Sequence, residues 1–182
     1  MPDRSFTLDP QASRLLVHTR AEGLLARLAH ALQLSTPELT GTATLEGEAW
    51  TADLRVPVRS LMVDGVLHGD TLDRTVLSAA DREQILTKMR EDIFGDATEI
   101  EARAAGPGRD RGEATVRVGR ASQRAPLTFT TREAESGALQ VTGTFEVSIK
   151  ALGGKAIKGP LGAFSVKDTV KLRFDLRLVP TG

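Results

Sequence analysis

The chain has 182 residues, of which 24 are Lys or Arg and 24 are Asp or Glu, so its formal net charge is zero. That balance argues against a nucleic-acid binder, which needs a basic excess to neutralise phosphates, and against a polybasic membrane anchor. The absence of cysteine removes disulfides, thiolate metal sites and cysteine nucleophiles, and the length fits a single domain over residues 1–182.

The opening, Met1 to Pro10, is polar and lacks the apolar stretch of a signal peptide. No run approaches the ~18 apolar residues of a membrane span. The expected location is therefore the cytoplasm, or the periplasm if a leader has been removed. Leu15 and Val17 mark a first strand. Over residues 21–32 the leucines Leu24, Leu25, Leu28 and Leu32 are spaced for a short amphipathic helix. From Leu39 onward the period is two. A strand runs to Leu45, Glu46-Gly47-Glu48 turns the chain, and Trp50, Ala52, Leu54, Val56 and Val58 form one face of the next strand. Residues 79–94 predict a second helix, with Ile85, Leu86, Met89 and Ile93 on one side, Ser78 or Asp81 as its cap and Gly95 as its stop. Shorter alternations follow at Ile100 to Ala104, Ala114 to Val118 and Leu127 to Thr131, with turn chemistry at 106–112 and 135–137. The cleanest alternations come last, at Leu139 to Lys150 and Val170 to Leu178, separated by a glycine-punctuated loop. The total is about eight strands.

Each strand is apolar on one side and charged or hydroxylated on the other. Strands buried on both faces would read as continuous apolar runs, so the sheet is antiparallel with one wet face. Two helices are too few to cover the dry face, and the sheet must close on itself. The expected fold is mainly β, an antiparallel eight-stranded barrel with two short helices. Aromatic residues make up only 4% of the chain, and the inward positions are mostly Leu, Val, Ile, Ala and Gly. A barrel of this size is either filled by side chains or holds one small ligand; sparse, small linings favour the ligand.

The order of segments resembles the YceI-like family of lipocalin-like, polyisoprenoid-binding barrels. Phe6-Thr7-Leu8-Asp9-Pro10, followed by Ser13 to Thr19, is similar to the family opening, and Gly23 to His30 to the short helix after it. Leu39-Thr40-Gly41-Thr42-Ala43, Val58-Arg59-Ser60-Leu61, Val141-Thr142-Gly143-Thr144-Phe145 and Gly162 to Val170 resemble later family segments. The chain departs from the pattern at Asp96 to Ile100, where members carry an aromatic, proline-containing stretch, and at Val116 to Arg124, which is drawn out. The resemblance implies a barrel enclosing an isoprenoid tail, with no catalytic residues.

The chemistry-bearing residues fit that picture. The three histidines, His18, His30 and His68, are not spaced as a metal site. Asp64 to Asp70 reads as a loop before a helix, and no nucleophile motif or phosphate loop occurs. Met62 and Met89 read as core. The expected function is binding, sequestration or transport of one long apolar lipid, without enzyme activity, cofactor or metal. The candidate wall residues are Trp50, Leu54, Val56, Phe129, Val141, Phe145, Val147, Leu172, Phe174 and Leu176, with His30 or Arg27 meeting a polar head at the mouth. The expected partner is an isoprenoid or other long-chain lipid, not nucleic acid, with no membrane span and a homodimer left open. Two alternatives stand beside this. One is an enzyme acting on an apolar substrate at the barrel mouth, for which Thr131 and His30 are the inward polar groups. The other is a structural protein with a filled core.

Overall fold

The computed structural model describes residues 3–22, 30–108, 110–134, 136–158 and 165–181. In chain order the elements are β1 (Arg4–Leu8), β2 (Arg14–His18), β3 (Ala21–Glu22), β4 (Ala31–Thr36), β5 (Thr40–Glu46), β6 (Ala49–Pro57), β7 (Met62–His68) and β8 (Thr71–Asp73). Helix α1 (Ala79–Met89) follows and runs on into a π-turn over Arg90–Phe94. The chain then forms β9 (Glu99–Gly106), β10 (Arg111–Val118), β11 (Ala121–Glu133), β12 (Leu139–Ser148), β13 (Ser165–Val166) and β14 (Thr169–Pro180).

Eight strands close into an antiparallel barrel in the order β1-β5-β6-β9-β10-β11-β12-β14, and β14 returns to β1. The alternation seen in the sequence sets this geometry. Val170, Phe174, Leu176 and Leu178 are buried inside, while Arg173 and Arg177 stay outside. One long strand does double duty. The first half of β14 pairs with β2 (Phe174 opposite Leu15), and its end pairs with β1 (Leu178 opposite Leu8). The sheet therefore forks. Beyond β2 it continues through β4, β7 and β8 as a flap.

By register, the start of β1 and the β5–β6, β9–β10 and β11–β12 turns lie together at one end of the barrel. The opposite end is covered by α1 and its π-turn. Ser78 caps α1 by accepting from Asp81 N–H while the Asp81 carboxylate accepts from Ser78 N–H, and Gly95 ends the helical run at φ 56°. Leu86, Ile93 and Phe94 pack down onto the barrel core.

Three expectations need correction. Of the first predicted helix only the bounds are corrected: Ala21 and Glu22 are in β3 and Ala31 and Leu32 begin β4, while residues 23–29, with Leu24, Leu25 and Leu28, lie outside the described residues. The leucine spacing that suggested a helix ends in β4, where Leu34 is buried and Gln33 and Ser35 take the other face. Asp64 to Asp70 is mostly the strand β7 and its turn. Met62 is 48% exposed and not core, because its neighbour Val63 takes the inward position.

Candidate functional site: an apolar cavity in the barrel

The barrel is not solidly filled. It encloses a cavity of about 370 Å³, at the small end of the range for ligand pockets, which suits one slender guest. The cause lies in the register. Ala43, Ala52, Ala104 and Ala114 are consecutive partners across β5, β6, β9 and β10, and all four line the cavity. A row of methyl groups leaves a hollow where larger side chains would meet.

Nine of the ten aliphatic and aromatic positions singled out in the sequence lie along this wall: Trp50, Leu54, Val56, Phe129, Val141, Phe145, Leu172, Phe174 and Leu176. The tenth, Val147, is buried but off the cavity. It packs with Val118, Ile149 and Val170 in a second cluster, against which Ile93 and Phe94 rest at the covered end. Period two assigned its face correctly and could not assign its depth. His30 is exposed and off the wall, and Arg27 lies outside the described residues. Thr131 is on the wall.

Several lining residues escaped the sequence analysis. Phe6 and Arg4 reach the cavity from β1, a strand of five residues too short to show a period, and Leu15 and Leu39 also line it. Phe6 is 1% exposed and pairs with Ala43 across the sheet. Gly143 makes room for an aromatic divider, since a Cβ there would collide with the ring of Phe174 and with Phe129. The Phe174 ring in turn lies 6.2 Å from that of Phe145.

The uncovered end is built differently from the wall. Trp50 crosses it, with Nε1 donating to the Gly108 carbonyl at 2.7 Å and its ring edge-on to Phe129 at 5.1 Å and 87°. Beside it stand Arg4 and Glu133, paired at 2.8 Å. They are the two charged residues among the described cavity-lining positions. Arg4 also donates to the Gly137 carbonyl at 2.8 Å, and its guanidinium sits 5.0 Å above the Phe6 ring.

Polar chemistry elsewhere is structural. On the flap, His18 bonds Gln33 at 3.1 Å, and the buried Asp64 carboxylate accepts from Gln33 at 2.8 Å and Ser35 at 2.7 Å. None of these side chains lines the cavity. The Ser148 hydroxyl and the Lys150 N–H hold the Asp168 carboxyl below the ordinary carboxylate range, with help from the Lys150 charge. The described residues contain no group of three or more His, Asp or Glu arranged to hold a metal ion, and no helix long and apolar enough to cross a membrane.

No protein-family model matches the chain, and no curated protein matches its sequence. Its fold is nevertheless shared with a known structure. The crystal structure of Burkholderia cenocepacia BcnA superposes with a TM-score of 0.66 at 10% sequence identity, covering 93% of this chain and 98% of that one, so the two have the same barrel fold.

Proposed function

We propose that the protein is a YceI-like carrier that takes up one long apolar chain, of isoprenoid type, inside its barrel, and sequesters or transports it. The observation that carries this reading is the cavity of about 370 Å³, walled by Ala, Leu, Val and Phe and reaching the barrel end that α1 leaves uncovered. Burial of a hydrocarbon tail there contributes about 0.8 kcal/mol per methylene, less the cost of ordering the tail. The candidate contacts are the nine wall residues from Trp50 to Leu176 together with Phe6 and the alanine row. The isoprenoid assignment rests on the resemblance of the segments around Asp9, Gly41 and Gly143 to that family. Native mass spectrometry of freshly purified protein, before and after organic extraction, tests the reading. A co-purifying lipid of discrete mass is expected, with its loss in Leu54→Asp, which places a carboxylate on the wall. An unliganded mass that persists after incubation with lipid overturns it.

A further inference from the structure

We infer that the mouth selects a guest whose polar head is uncharged. The inference rests on the carrier reading and adds the chemical class of the head group. An apolar tail in the cavity leaves its head at the uncovered end, where Arg4 and Glu133 are the charged side chains on the wall. They are paired at 2.8 Å, so the pair itself carries no net charge. A carboxylate or phosphate brought to Arg4 meets the Glu133 carboxylate on the same guanidinium, and must either sit against a like charge or break the pair. An ammonium brought to Glu133 meets Arg4 in the same way. A hydroxyl or carbonyl head escapes both penalties. One of the five guanidinium N–H groups is engaged by the Gly137 carbonyl, and Nη1 lies 2.8 Å from the Glu133 carboxylate, which leaves others to donate. The Glu133 carboxylate keeps free lone pairs to accept, and the Thr131 hydroxyl stands on the same strand, two residues deeper. The stacking of Arg4 over Phe6 fixes the guanidinium at the lip, between charged rim and apolar wall.

The test is displacement of Nile red from the full chain by three ligands with one tail, hexadecanol, hexadecanoate and hexadecylamine, at mildly alkaline pH. The alcohol is expected to compete about tenfold more strongly than either ion. In Glu133→Gln the uncovered Arg4 charge should bring hexadecanoate level with the alcohol or ahead of it. In Arg4→Gln the gain should go to hexadecylamine. A circular dichroism spectrum like that of the wild type and a cooperative urea transition in both variants show that the barrel has survived the substitution. Equal competition by all three ligands, or a ratio that Glu133→Gln leaves unmoved, overturns the head-group selection and leaves the carrier intact. Failure of the dye and all three ligands to bind overturns both.

Discussion

The indole of Trp50, rooted on β6, covers the backbone of Gly112 two strands away on β10. A methyl group on Gly112 would stand 2.9 Å from ring carbon Cη2, and one on Gly106 would stand 2.7 Å from Nε1. The two glycines are the seat that lets the ring span the barrel mouth and reach Phe129 and the Gly108 carbonyl. Gly112→Ala should therefore displace the indole and cost about 1–3 kcal/mol by overpacking. Since Trp50 is the single tryptophan, its emission should shift red along with the lower urea midpoint. Native emission in the variant would show that the ring does not depend on this seat.

Enlarging one member of the alanine row should separate stability from binding. Ala104 sits between Ala52 and Ala114 and faces the cavity. Ala104→Leu fills space that a guest would take, so the affinity for Nile red should fall at least ~10-fold while stability holds or rises by about 1 kcal/mol. Dye titration and urea unfolding on the same preparation measure both, and undiminished dye binding would place the guest elsewhere.

The reverse separation is expected on the flap. Asp64 is 7% exposed and supplies the acceptor for Gln33 and Ser35. Asp64→Ala orphans two partly buried donors, at about 1–3 kcal/mol each when water does not reach them. The urea midpoint should drop accordingly, and dye affinity should stay within about twofold because the network does not touch the cavity.

Acid should loosen the segment between β12 and β14. The Ser148 hydroxyl and the Lys150 N–H lower the Asp168 pKa from its ordinary value of 3.8. A depressed folded-state value means that the carboxylate's contribution is complete well above 3.8 and is lost as pH falls through the lower, folded value. Wild-type protein should accordingly lose more stability than Asp168→Asn on titration from neutral pH into the acid range, and the variant should start out weaker. Parallel urea midpoints across the titration would show that the carboxylate is not the group responsible.

Much of the barrel was legible because its strands are amphipathic. The runs around Leu54, Val141 and Phe174 carry an uninterrupted period of two, and in a closed sheet the dry face has one destination, the interior. What alternation cannot supply is height along the barrel axis. Val147 and Phe145 share a face, yet Phe145 borders the cavity and Val147 lies beneath the end that α1 covers. The strands of the flap were missed for a different reason. In β7 the buried carboxylate of Asp64 interrupts the apolar pattern, and only its partners on β4 make that burial tolerable. The charged rim was invisible for a third reason: Arg4 and Glu133 are separated by most of the chain, and it is the return of β14 to β1 that brings them together.

That return also governs how the molecule is made. Phe6 lies opposite Pro180, and Thr181 N–H donates to the Ser5 carbonyl at 2.9 Å, so the ring is sealed between segments that leave the ribosome far apart in time. Until β14 has been synthesised, the nascent polypeptide holds two unpaired edges and a gutter of apolar side chains open to its surroundings. Closure of such long-range pairing is slow, and the hollow comes into existence only when β14 meets β1.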